Sequence, residues 1–290
     1  MADTPRLDHV QCLDNRGLHR MAYWEWGDPA NPHVLLCVHG LLRQGRDFET
    51  LAAAMSDRYR VVCPDVVGRG VSDRLADPMG YVVPQYVADM VTLLARLDAQ
   101  EVHWVGTSMG GLIGLGVAAL ANSPVRRLVL NDVGPRIDPA GIARIGGYVG
   151  RSARWATLDE AANALWAISS TFGPHTREQW LGLTRPQLTQ DAEGFYVPRS
   201  DPAIAVPFKA VTPESAAQGE ALLWAAWDSL RIPTLLLRGA DSDLLSHATA
   251  LEMTQRGPRA RLVEFEGVGH APMLVQPDQV QAVREFLLSP

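Results

Sequence analysis

Residues 101–111 read EVHWVGTSMGG, an apolar strand run followed at once by a glycine-rich turn. The turn matches the pattern G-x-S-x-G, and residues 109–121 after it are rich in small residues and predict a helix. In this strand–turn–helix setting the pattern presents the Ser108 hydroxyl above the edge of a sheet. The helix N-terminus then points free N–H groups at the site, which favours developing negative charge. We predict that Ser108 is a nucleophile; the competing interpretation is that it only caps the helix.

Apolar runs on both sides of this segment predict further strands. They are continuous rather than alternating, which is typical of strands buried on both faces, and they lie at residues 33–39, 60–65, 126–131, 234–238 and 261–266. Helical stretches separate them, so we expect an α/β fold with a mostly parallel, doubly wound sheet. Residues 7–26 alternate loosely and turn near residues 14–17, which predicts an antiparallel hairpin at one edge.

The pattern changes between residues 136 and 229, where apolar strand runs give way to short helices and loops. We therefore predict a core of residues 1–135 and 230–290 with a helical cap insertion at 136–229. Five of the eight tryptophans lie in this insertion: Trp155, Trp166, Trp180, Trp224 and Trp227. They could form an apolar pocket wall, or only bind the insertion to the core.

A serine hydroxyl needs a general base at neutral pH, and His270 is the histidine best placed to supply it. It ends the segment GVGH at residues 267–270, directly after an apolar run. A loop in that position lies at the carboxyl edge of a parallel sheet, where such sheets bind ligands.

The acid that orients the histidine has three candidates in the correct chain order. Asp243 is preferred over Asp241 because the apolar pair Leu244-Leu245 after it can anchor the loop inward. Asp132, which ends the run RRLVLND, is the third candidate.

The remaining predicted site residues lie mostly at the end of the run at 33–39 and just after it. An oxyanion formed on acyl transfer needs two N–H donors, for which we expect Met109, directly after the nucleophile, and Leu41. His39 and Gly40 are interpreted as a structural turn with a hydrogen-bonded imidazole. Arg43 could bind a substrate carboxylate, or be a surface arginine.

Composition limits the partners. The chain has 290 residues, 47% hydrophobic and 20% charged, with a formal net charge of -6 and no basic block, which argues against nucleic acid or anionic membrane. Three cysteines with no metal spacing predict buried apolar residues, and we predict no metal and no cofactor. No signal peptide and no run of about 18 apolar residues is visible in the sequence, so we expect a cytoplasmic protein acting on a small molecule; its oligomeric state stays open.

Together these motifs resemble the α/β-hydrolase superfamily over nearly the whole chain. The resemblance is carried by His39-Gly40, by Asp65-x-x-Gly-x-Gly-x-Ser72, by GTSMGG at 106–111, by GADSDLL at 239–245 and by GVGH at 267–270. It implies an eight-stranded sheet, a helical cap after the sixth strand and an acid after the seventh, in agreement with Asp243.

Within that superfamily, dehalogenases and epoxide hydrolases carry an aspartate where this chain has Ser108. The resemblance therefore favours a serine carboxylesterase acting on a small or medium apolar acyl group. Hydrolysis of C–C bonds in ring-cleavage diketone acids and cofactor-free haloperoxidase or perhydrolase activity are the alternatives. A non-catalytic binding module on the same fold is a third kind of function.

Overall fold

The computed structural model describes residues 4–99 and 101–289, which contain ten strands. They are β1 (Arg6–Asp14), β2 (Gly17–Trp26), β3 (Val34–Val38), β4 (Arg60–Pro64), β5 (Val102–Thr107), β6 (Val125–Asn131), β7 (Leu188–Gln190), β8 (Tyr196–Pro198), β9 (Thr234–Gly239) and β10 (Arg261–Phe265). Eight form one sheet in the order β1-β2-β4-β3-β5-β6-β9-β10, and β7 pairs with β8 apart from it. The β1–β2 and β2–β4 pairs are antiparallel and the other pairs of the large sheet are parallel. The predicted sheet and edge hairpin are confirmed.

Helices cover both faces of the sheet. They are α1 (Glu49–Met55), α2 (Val83–Leu97), α3 (Met109–Ala118), α4 (Pro139–Gly146), α5 (Leu158–Ser169), α6 (Arg177–Thr184), α7 (Ala205–Lys209), α8 (Pro213–Ser229), α9 (His247–Gln255) and α10 (Pro277–Leu288). On one face α3 contacts α2, α8 and β5, and on the other α1 contacts α10. Among the described residues, no helix combines the length and the apolar character that a membrane crossing requires.

Strand β3 explains why the apolar runs are continuous. Its residues are all buried, and successive side chains point to opposite faces of the sheet. Val34, Leu36 and Val38 belong to one core cluster, whereas Leu35 and Cys37 belong to the other. An alternating polar residue would therefore be buried in an apolar layer, which is why this strand carries none.

The glycines of α3 let this helix lie directly on the sheet. A Cβ at Gly110 would fall 1.9 Å from the carbonyl oxygen of Val38, and one at Gly114 would fall 2.3 Å from the Trp104 indole nitrogen. The loss of helix propensity, about 1 kcal/mol per glycine, is the cost of this close approach. Strand β5 and helix α3 are thereby held at the short separation that the turn between them requires.

The segment predicted as the cap, residues 136–229, is mostly helical, but its parts pack differently. Trp180 forms a small cluster with Leu183 and with Met273, which lies in the loop after His270. Helix α8 instead packs against α3, and its Trp224 and Trp227 belong to the main core cluster. The extent of the cap as a domain stays a prediction; the packing assigns α8 to the layer that covers the sheet.

Candidate active site

Ser108 occupies the sharp turn between β5 and α3. Its φ is 53° and its ψ is -118°, a conformation that costs a residue with a Cβ about 1–3 kcal/mol. Its N–H donates to the Asn131 carbonyl at 2.9 Å, which ties the turn to the neighbouring strand β6. A Cβ at Gly106 would lie 2.2 Å from the Gly110 carbonyl, so both outer glycines of the pattern are sterically required.

The His270 imidazole bridges the serine and a carboxylate. Its Nε2 lies 2.9 Å from Ser108 Oγ, and its Nδ1 lies 2.7 Å from Asp132 Oδ2. The predicted contact of Ser108 with His270 is therefore confirmed. Thr171 of the helical insertion secures the histidine loop, because its carbonyl accepts from Gly269 N–H at 2.6 Å and its hydroxyl donates to the His270 carbonyl at 3.3 Å.

The carboxylate at His270 is Asp132, which directly follows β6 and is fully buried. Its Oδ1 accepts from Gly239 N–H at 2.9 Å, and its Oδ2 accepts from the Ser242 hydroxyl at 2.6 Å as well as facing His270. These donors fix the carboxylate so that it accepts from Nδ1–H. That arrangement leaves Nε2 free to accept a proton from Ser108.

The prediction that Asp243 contacts His270 is wrong. Leu244 and Leu245 are buried, as expected, but they anchor the loop so that Asp243 meets Arg144 of α4 in a two-pronged ion pair of 2.6 and 2.8 Å. The Arg144 guanidinium holds the pKa of the Asp243 carboxyl below its ordinary value. Two sets of contacts that the sequence pattern does not show decide which carboxylate faces His270. Asp243 has a partner in the insertion, Arg144, and Asp132 has donors in the β9 loop, Gly239 and Ser242.

Both predicted oxyanion donors lie next to the serine. A Cβ on Gly40 would be 3.6 Å from the Ser108 Cβ, which places the Gly40–Leu41 segment against the nucleophile, and Met109 is the first residue of α3. The buried Arg69 contacts both predicted donor residues, with Nε donating to the Leu41 carbonyl at 2.8 Å and Nη2 lying 3.5 Å from the Met109 sulfur. One guanidinium thus connects the two segments that would form an oxyanion hole.

His39 has the structural role expected of it. Its Nδ1 donates to the Gly40 carbonyl at 2.7 Å, and its Nε2 accepts from Val66 N–H at 2.9 Å. Burial lowers the pKa of His39 to about 3, so the ring is neutral at physiological pH. The imidazole therefore fixes the turn that leads into the Leu41 segment.

Ser108 and His270 open into a cavity of about 570 Å³ between the sheet edge and the insertion. This volume lies within the range of small-molecule sites, about 300–1,000 Å³. The wall that the insertion contributes is largely apolar and includes Ile145, Trp155, Leu165, Ile168 and Phe172. Of the five tryptophans in the predicted cap, Trp155 is the one that lines this cavity.

Arg43 lines the same cavity, but its charge is already paired. Its guanidinium makes two hydrogen bonds to Asp47, of 2.5 and 2.8 Å, and a longer one to the Leu183 carbonyl at 3.4 Å. Burial raises the pKa of Asp47, and Arg43 opposes that rise. Arg43 is therefore not a surface arginine, and a substrate carboxylate would have to compete with Asp47 for it.

A separate group of possible metal ligands lies outside the cavity. Cys12, His19 and Asp89 are buried together, with one ligand atom from each within 4.8 Å of the others. His19 Nε2 lies 3.1 Å from Asp89 Oδ2, and burial raises the pKa of the Cys12 thiol to about 12. The group forms a hydrogen-bonded contact between the β1–β2 hairpin and α2. Cys37 and Cys63 are also buried and unbridged, as expected.

Comparison with known proteins places this geometry in a family. The family model described as alpha/beta hydrolase fold matches residues 33–277. The chain is 54% identical over 289 residues to a 3-hydroxybutyrate-oligomer hydrolase of Cupriavidus necator, covering 99% of each chain. It is 28% identical to a 2-hydroxy-6-oxo-2,4-heptadienoate hydrolase of Pseudomonas putida, over 89% of each chain. A solved alpha/beta hydrolase of Novosphingobium aromaticivorans aligns with a TM-score of 0.86 at 35% identity, covering 98% of this chain and 99% of that one.

The family match covers most of the chain, and the sheet order, the strained serine turn and the histidine loop agree with it. The protein belongs to the α/β-hydrolase fold family and is a hydrolase.

Proposed function

We propose that this hydrolase cleaves carboxylic esters through an acyl-enzyme, with Ser108 as nucleophile, His270 as general base and Asp132 as the orienting acid. The observation that carries the proposal is the unbroken series of contacts from Ser108 Oγ through the imidazole to the buried carboxylate, of 2.9 and 2.7 Å. It opens on an apolar cavity large enough for a small ester.

In the first half-reaction, Ser108 Oγ attacks the ester carbonyl while His270 Nε2 takes the hydroxyl proton. The tetrahedral oxyanion would be held by the N–H groups of Leu41 and Met109, and Asp132 stabilises the imidazolium that forms. When the intermediate collapses, the C–O bond to the alcohol breaks and His270 returns the proton to the leaving oxygen. Water then attacks the acyl-enzyme with His270 again as base, which releases the acid and restores the serine.

For the substrate we propose short oligoesters of 3-hydroxybutyrate. Support comes from the 54% identity, over nearly full length, to a protein named for hydrolysis of such oligomers. The apolar cavity wall suits the methyl-bearing acyl chain of this ester, since apolar burial contributes about 0.8 kcal/mol per carbon. Cleavage of a C–C bond by the same three side chains is less well supported, because the anion-binding role that it would give to Arg43 is opposed by Asp47.

The test compares Ser108→Ala with Ser152→Ala, a matched control because Ser152 lines the same cavity. Release of 3-hydroxybutyrate from its dimer and trimer is followed by chromatography. Ser108→Ala should lower kcat at least about 10⁴-fold, whereas Ser152→Ala should stay within about threefold of wild type. Full activity of Ser108→Ala, or rapid turnover of a coloured ring-cleavage diketone with none of the oligomer, would overturn the proposal.

A further inference from the structure

Two arginines of the cavity wall lack a protein partner. Arg74 and Arg151 are exposed at its opening, and within residues 4–99 and 101–289 neither guanidinium has a hydrogen bond or an ion pair. Arg43, the third arginine of the wall, is paired with Asp47. Guanidinium groups beside carboxylates normally form ion pairs, as Arg144 and Arg154 do in this chain. The two unpaired groups are therefore available to an anion that enters the cavity.

Both arginines are attached to the same part of the wall. The loop that carries Arg74 is tied to Asp201, because Gly68 accepts from Asp201 N–H at 2.8 Å and donates to the Asp73 carbonyl at 2.8 Å. On the other side, Arg151 follows Gly150, where a Cβ would lie 3.0 Å from the Pro202 carbonyl oxygen. Arg74 and Arg151 thus come from segments that flank residues 201 and 202.

Neither acidic side chain of the wall forms an ion pair with Arg74 or Arg151. Asp47 is held by Arg43 and Gln44, and Asp201 accepts from the Tyr81 hydroxyl at 2.7 Å and from Ala203 N–H at 2.9 Å. The lining therefore holds three arginines against two aspartates, an excess of positive charge in a chain whose formal net charge is -6. Such a local reversal of sign attracts an anionic ligand and orients it as it enters.

We infer that Arg74 and Arg151 bind the terminal carboxylate of the substrate, so that the enzyme takes linear hydroxy-acid oligoesters by their carboxyl end. The inference rests on the proposed function. With the carboxylate at the opening, the acyl part of the scissile ester lies in the apolar cavity beside Ser108. The alcohol that leaves is then the terminal hydroxy acid, which takes the proton from His270 on its new hydroxyl and then dissociates from the two arginines.

The effect is expected in KM rather than in kcat, because this contact is the same in the ground state and the transition state. An exposed ion pair contributes little, so each single substitution should raise KM for the anionic substrate about threefold to fivefold. The double substitution should raise it at least about tenfold. A neutral substrate of the same shape should be unaffected.

The experiment uses the 3-hydroxybutyrate dimer as free acid and the same dimer with a terminal carboxamide. Wild type, Arg74→Gln, Arg151→Gln and the double variant are compared with Arg154→Gln, which removes a positive charge from the insertion outside the cavity lining. The inference requires a loss of preference for the acid in the double variant and none in Arg154→Gln. It is overturned if the double variant keeps the wild-type ratio of the two KM values. If wild type cleaves neither dimer, the proposed function itself fails, which is a separate result.

Discussion

Replacing Asp132 by asparagine tests whether this carboxylate is the acid that orients His270, because the exchange replaces one carboxylate oxygen by an NH2 group. In the structure Oδ2 faces two donors, His270 Nδ1 and the Ser242 hydroxyl, and Oδ1 faces a third, Gly239 N–H. If the NH2 group of the asparagine occupies the Oδ2 position, it donates to His270 Nδ1 and favours the tautomer that carries its proton on Nε2. That tautomer cannot accept the proton of Ser108. If the NH2 group occupies the Oδ1 position, it faces the Gly239 N–H, so that two donors meet without an acceptor.

The first orientation stops proton transfer, and the second destabilises the turn while removing the negative charge that stabilises the imidazolium. In a comparable triad the same exchange lowers kcat about 10⁴-fold. At about 1.36 kcal/mol per tenfold change, this is a rise in the activation barrier of about 5.5 kcal/mol. We expect Asp132→Asn to lower kcat by about this factor and to leave KM within severalfold.

Steady-state hydrolysis of a p-nitrophenyl ester measures the effect, and circular dichroism checks that the variant is folded. Asp243→Asn is the matched control, because Asp243 forms a half-exposed ion pair with Arg144 away from the imidazole. Such a pair contributes at most about 1 kcal/mol, so the control should stay within about fivefold of wild type. The reasoning is refuted if Asp243→Asn abolishes turnover while Asp132→Asn retains it.

Two predictions concern stability and are read by urea unfolding. Gly110→Ala should lower the free energy of unfolding by at least about 1–3 kcal/mol, because its Cβ would lie 1.9 Å from the Val38 carbonyl oxygen. Gly219→Ala should raise the free energy of unfolding by up to about 1 kcal/mol, because its Cβ would have nothing within 4 Å. Equal effects would contradict the packing of α3. The pKa of His39 is about 3 in the folded protein, below its ordinary value of 6.5. The neutral ring therefore contributes fully to the free energy of unfolding above pH 6.5, and this contribution is lost as pH falls because only the unfolded chain takes up the proton. Wild type should lose about 1.2 kcal/mol more than His39→Gln between about pH 7 and about pH 5.5; parallel pH profiles would contradict this.

The sheet and the serine turn could be predicted because their signals are local. Continuous apolar runs identify strands buried on both faces, and the glycines around Ser108 are required within one turn of chain. The position of His270 can be predicted for a similar reason, since its loop directly follows the last strand. In each case the residues that determine the structure lie within a few positions of one another.

The acid could not be resolved in this way, because its choice depends on contacts between distant segments. Asp132 accepts a hydrogen bond from Gly239, which lies more than a hundred residues away in sequence. Asp243 forms an ion pair with Arg144 across a similar separation. Both carboxylates follow apolar strands in the correct chain order, so spacing alone does not separate them. The weak signal in favour of Asp132 was its position directly after a strand buried in the centre of the sheet.

Local composition does not show which surface each helix of the insertion covers. Helix α8 has the same mixed pattern as the helices before it, so the sequence predicts one cap over 136–229 and does not separate α8 from them. Its Trp227 is fully buried, with a Cβ at Gly257 falling 2.4 Å from the Trp227 carbonyl, and this contact with the core has no counterpart in local sequence. Tryptophan content indicated burial but not which surface the side chains cover.

The central claim is that Ser108 becomes acylated during turnover, and trapping that adduct tests it most directly. After reaction with a p-nitrophenyl alkylphosphonate, mass spectrometry of the digested protein should find one phosphonyl group, on the peptide that contains Ser108. The adduct should be absent from Ser108→Ala and strongly slowed in His270→Ala. Stoichiometric loss of activity with the phosphonyl group on any other residue would contradict the account.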